Sequence, residues 1–136
     1  MFFVVFSTDE GRTWTPPREL PAALTGDRSH QREFVRELTM RSDLTVSRLN
    51  GIPGMTCVAP HAAFYAMPKV ALPAGKTDED FVLALLRKTG ILCVYGSGFG
   101  LPAEEGFFRV VFLAQPDTLS AIYDDIATFT SEFTQQ

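Results

Sequence analysis

Hydrophobic and polar positions change rhythm near residue 30. Residues 1–6 are an unbroken apolar run, MFFVVF, followed by STDEGRTW and the proline-rich TPPRELPAALTGDRS, which together read as strand, turn and loop. From His30 onward Val35, Leu38, Val46 and Leu49 recur at helical spacing between charged residues, and Asn50-Gly51 supplies a stop. Pro53-Gly54 marks a turn before a short strand over residues 56–58. A second strand is expected over residues 62–70, AAFYAMPKV, with Pro68 at its edge or end.

The next helix opens at Thr77, where an acid three positions on, Asp80, resembles a capping box. Phe81, Val82, Leu85 and Leu86 form its apolar stripe, and Gly90 fits a C-terminal stop. Residues 90–114 read as strand, glycine-rich turn and strand. Pro116-Asp117 then starts a helix with Leu119, Ile122, Tyr123, Ile126, Phe129 and Phe133 along one face. From residue 30 the order is helix, strand, strand, helix, strand, strand, helix. That order predicts an α/β two-layer sandwich, a small mixed or antiparallel sheet packed on about three helices. No internal repeat or low-complexity tract interrupts it.

A chain of 136 residues supports one domain with a real core. Its 46% hydrophobic and 21% charged residues exclude wholesale disorder. A net charge of −4 without a basic run argues against nucleic acid as a main partner. No apolar stretch approaches the ~20 residues of a membrane span, so no membrane partner is expected. The MFFVVF start lacks the basic flank of a signal peptide. Cys57 and Cys93, each inside a strand-like run, fit neither a zinc pattern nor a disulfide scaffold, and read as buried free thiols in a reducing, cytoplasmic compartment.

The candidate chemistry centres on Arg109, a lone cation within the apolar run FFRVVFL at 107–113. A guanidinium cannot be deprotonated, and burying it unpaired is very costly. It either reaches solvent from a sheet edge or faces a cleft built for an anion. The GSGFG segment at 96–100 precedes a strand and not a helix, which favours a turn needing positive φ over a phosphate cradle. His30 and His61 have no carboxylate or cysteine cluster at ligand spacing, so no metal site is expected. Tyr65 and Tyr95 read as packing residues. The acids at 78–80 and 104–105 read as a helix start and a loop, with no acid/base couple.

Four pieces of the chain carry a family resemblance: RLNGIPGMTCVAP, HAAFYAMPKV, DEDFVLALLRKTG, and GSGFG followed by FFRVVFLA. In this order and spacing, residues 30–133 resemble the C-terminal small domain of class I/II pyridoxal-phosphate aminotransferases, nearest the alanine and aspartate groups. The resemblance implies that Arg109 binds a substrate α-carboxylate bidentately, with Gly96, Gly98 and Gly100 shaping the turn before its strand. It implies an amino acid and a 2-oxo acid as the parent family's substrates. The cofactor pyridoxal 5′-phosphate would be held by a lysine, an aspartate and phosphate-binding groups of a large domain that these residues do not include. Lys69, Lys76 and Lys88 sit in the wrong contexts for the Schiff base. No cofactor and no catalytic residue is therefore assigned to this chain, which is expected to be silent alone and to need a separate large domain or to pair with a second copy.

Residues 1–29 resemble something else. Ser7-Thr8-Asp9-Glu10-Gly11-Arg12-Thr13-Trp14 is similar to the Asp-box of sialidases, S-x-D-x-G-x-T-W, in which Asp and Gly shape a hairpin turn. The expected division is a sialidase-like segment over 1–29, not an independent domain, joined to the small domain over 30–136. The rival reading is a non-catalytic, self-associating module or a truncated or chimeric relic, with a weak glycan link through the Asp-box.

Overall fold

The computed structural model describes residues 3–4, 18–19 and 26–135. The chain divides into two units, Met1–Phe34 and Val35–Gln136. In the first, β1 (Phe3–Val4) pairs antiparallel with β2 (Arg18–Glu19), Phe3 opposite Glu19 and Val4 opposite Arg18. The Asp-box expected at residues 7–14 lies outside the described residues.

Helix α1 runs from Ser29 to Asn50. Its buried positions are Arg41, Thr45 and Leu49, an i, i+4 stripe. Only Leu49 belongs to the apolar periodicity read from sequence; Val35 is 60% exposed. The two polar members are accepted because each finds a partner. Arg41 Nη1 donates to the Leu113 carbonyl at 2.8 Å and Nη2 to Glu37 at 3.0 Å. The Thr45 hydroxyl shares a 2.7 Å hydrogen bond with that of Tyr123.

Helix α2 (Asp78–Thr89) starts and stops where the sequence places it. Thr77 caps it: its hydroxyl accepts from the Asp80 amide at 3.2 Å while the Asp80 carboxylate accepts from the Thr77 amide at 3.0 Å. Gly90 closes it at φ 79°. Helix α3 (Pro116–Phe133) has proline in its first turn, where a missing N–H costs nothing.

Five short strands complete the second unit. β3 (Met55–Thr56) pairs with β5 (Lys69–Val70), and β4 (Tyr65–Ala66), β7 (Phe108–Val111) and β6 (Val94–Tyr95) form an antiparallel sheet with β7 in the middle. The single strand expected over residues 62–70 is thus two strands in two sheets. Met67-Pro68 separates them; Pro68 has no N–H to offer a ladder, but its carbonyl accepts from Phe108 at 3.0 Å. Strand β3 likewise lies one residue before the expected 56–58.

Between sheet and helices lies a ring cluster. Phe81 of α2 stands 5.2 Å from Phe108 of β7, and 5.4 and 5.3 Å from Phe129 and Phe133 of α3, separations at which tilted and edge-on rings attract. The predicted architecture, small antiparallel sheets on three helices, is the one found. Among the described residues no helix is long and apolar enough to cross a membrane.

Candidate functional site

Strand β7 alternates sides along its length. Phe108 and Val110 turn into the core, whereas Arg109 is half-buried and Val111 exposed. The antiparallel register sets Val94 of β6 opposite Arg109 and Tyr65 of β4 opposite Val111, so these four share the outer face of the sheet. The turn after β6, a 3₁₀ helix over Gly96–Phe99, adds a second ring. The Arg109 guanidinium carbon lies 4.6 Å from the Phe99 ring centre and 5.4 Å from that of Tyr65, within cation–π range of both.

Aromatic rings stabilise the charge without using its hydrogen-bond donors. Arg109 Nε is buried and has no hydrogen-bond partner, and among the described residues no carboxylate pairs with this side chain. A guanidinium fork offers paired donors whose geometry matches a planar oxyanion. Arg109 sits on the middle strand of its sheet, so it does not reach solvent from a sheet edge.

Of the three glycines expected to need positive φ, only Gly100 has it, at 86°. Gly96 is required by proximity: a Cβ there would stand 2.7 Å from the Cβ and carbonyl oxygen of Phe107. Gly98 lies against the Tyr95 ring, 3.3 Å from where its Cβ would be. The first two amides of the turn are taken, Gly96 N–H by the Phe107 carbonyl at 2.7 Å and Ser97 N–H by Asp78 at 2.5 Å, so they brace the segment and are not free to cradle a phosphate.

Sequence reasoning missed Phe99, treated as part of the turn, and Tyr65, read as packing. An aromatic inside a glycine turn that precedes a cationic strand was the available signal. It also missed that Asp78, read only as a helix start, is buried.

The remaining candidates are spread apart in role. Lys69 is paired with Glu105 at 2.9 Å and lies over the Phe107 ring, Lys88 is paired with Glu132 at 3.4 Å, and Lys76 is exposed in a loop. A Schiff-base lysine needs a desolvated, unpaired amine, and these three do not supply one. Among the described residues no group of three His, Cys, Asp or Glu side chains is placed to hold a metal ion. His30 and His61 are exposed. Cys57 and Cys93 are free and buried; burial pushes both thiols up, that of Cys93 to about 11. Cys93 lines a cavity of about 350 Å³ that Arg109 also reaches, together with Val110, Leu119, Ile122 and Ile126.

A sheet-and-helix unit of this topology, with Arg109 on its central strand, is an aminotransferase-type fold. The family model for aminotransferase class I and II matches residues 19–122, and the chain belongs to that family. It is 41% identical over 100 residues to LL-diaminopimelate aminotransferase of Nitratidesulfovibrio vulgaris, covering 70% of this chain and 25% of that protein. It is 32% identical over 128 residues to alanine aminotransferase 2-like of Danio rerio, covering 82% of this chain and 23% of that one. Among solved structures, alanine aminotransferase from Pyrococcus furiosus superposes with a TM-score of 0.75 at 39% identity, over 82% of this chain and 28% of that one. The chain thus spans about a quarter of the length of the relatives it matches.

Proposed function

We propose that this chain is the substrate-carboxylate-binding small domain of a pyridoxal-phosphate-dependent aminotransferase of the alanine/aspartate type, with Arg109 as the anchor. The observation that carries the reading is the half-buried Arg109 guanidinium held against Tyr65 and Phe99 with no carboxylate paired to it among the described residues. A carboxylate presents two coplanar acceptors that match the guanidinium fork, which lysine cannot reproduce. The cofactor would supply the electron sink for amino transfer, but the three described lysines do not fit its attachment. The chain's own part is therefore to bind and orient the acid group.

One charge-assisted contact of this kind is worth about 1.5–3 kcal/mol net, on the order of 10–100 mM in affinity. Titration of pyruvate into the isotope-labelled full chain should move the Arg109 Nε–Hε resonance, while methyl pyruvate, which lacks the carboxylate, should not. No response to pyruvate would overturn the assignment. The chain alone, mixed with pyridoxal phosphate, should show neither imine absorbance nor alanine:2-oxoglutarate turnover; turnover would refute the claim that it is silent by itself.

The face bearing Arg109 also exposes Tyr65, Val94, Phe99 and Val111, an apolar patch of the kind that seeks a partner. The remainder of an aminotransferase fold is the occupant favoured by the quarter-length coverage of the relatives. A second copy is the other occupant, and light scattering over a range of concentrations separates the two.

A further inference from the structure

Asp78 opens α2, yet it is only 1% exposed, an uncommon setting for an acid. Its carboxylate accepts from the Glu79 amide at 2.8 Å, from the Ser97 amide at 2.5 Å and from the Ser97 hydroxyl at 2.9 Å. Among the described residues it pairs with no cation. Capping does not explain its burial, because Thr77 and Asp80 already cap this helix. What Asp78 adds is a link to a residue 19 positions later in the chain.

That residue belongs to the 3₁₀ turn Gly96–Phe99. The turn is pinned twice at its start, Gly96 to the Phe107 carbonyl and Ser97 to Asp78, and it ends on the ring that lies against Arg109. We infer that Asp78 is a positioning residue for the carboxylate site. By holding Ser97 it fixes the turn, and through the turn it sets the Phe99 ring against the guanidinium. This rests on the reading of Arg109 as carboxylate anchor. Two separate hydrogen bonds to one serine suit the role, since together they fix both the translation and the rotation of the turn.

The test follows the Arg109 Nε–Hε resonance, which feels the ring current of Phe99, and pyruvate affinity, both in the full chain. Phe99→Leu gives the reference position without the ring. Asp78→Asn and Ser97→Ala should each move the resonance toward that reference and weaken pyruvate binding by about three- to tenfold, with unfolding still cooperative. Ser97→Thr, which keeps hydroxyl and amide, should stay near the parent in both. If Asp78→Asn and Ser97→Ala lower the melting temperature but leave resonance and affinity unchanged, the inference is overturned and Asp78 is structural only. Should Asp78→Asn fail to fold, Ser97→Ala decides alone, because it removes a single hydroxyl. Should the parent chain not bind pyruvate at all, the anchor reading falls, while the resonance shift still decides whether Asp78 holds Phe99 over Arg109.

Discussion

The two faces of β7 use the same kinds of neighbour for opposite ends. Inward, Phe108 meets Phe81 within a group of rings that also takes in Phe129 and Phe133. Outward, one residue along, Arg109 meets Phe99 and Tyr65. Ring on ring exchanges water for close packing and leaves nothing unmet. Ring on guanidinium steadies a charge but leaves its N–H groups wanting an acceptor. On the proposed reading of Arg109, stability and recognition sit on alternate residues of one strand, and substitution should separate them.

The largest effect is expected inside. Phe81→Ala, at a fully buried ring, should cost about 3–5 kcal/mol in denaturant unfolding and take carboxylate binding down with it. Gly96→Ala tests the junction between the faces; forcing a Cβ against Phe107 should cost about 1–3 kcal/mol and displace the turn that carries Phe99. Away from both faces, Thr77→Ala should remove about 1 kcal/mol through loss of the α2 cap.

The cap also has an acid signature. Hydrogen bonds from the Thr77 amide and then its hydroxyl hold the Asp80 carboxyl below its ordinary value of 3.8. A group whose folded pKa is depressed stabilises above the unfolded value, and that contribution fades as pH falls through the folded one. Melting temperatures followed below pH 4 should therefore drop more steeply for the parent than for Thr77→Ala. Equal slopes would show that the cap is not what the acid titrates.

The smallest change in stability belongs outside. Arg109→Met should alter unfolding by no more than about 1 kcal/mol, the worth of its cation–π contacts, yet leave unmoved the Phe99 and Tyr65 ring resonances that pyruvate shifts in the parent. If it unfolds the chain instead, the outer face is a structural element and the division between the faces is wrong.

Local signals were legible in the sequence and distant partners were not. Thr77, Gly90 and Pro116 announce helix ends through their own chemistry; α2 begins and ends, and α3 begins, where those residues say. Arg109 stood out because a permanent charge in an apolar run demands an explanation. By contrast, the break of residues 62–70 at Pro68 depends on which strand each half finds. The acceptance of Arg41 and Thr45 inside depends on Leu113 and Tyr123, and the burial of Asp78 on Ser97. Glycine spacing likewise pointed to a turn at 96–100 without showing that Gly96 answers to crowding by Phe107 and only Gly100 to a left-handed backbone.

The grip of Arg41 on the Leu113 carbonyl has a mechanical consequence. Leu113 lies just past the end of β7, so a side chain from the middle of α1 moors the loop that leaves the sheet for α3. Fraying of residues 113–115 must therefore break a charge-assisted hydrogen bond, worth about 1.5–3 kcal/mol, to a side chain far away along the chain.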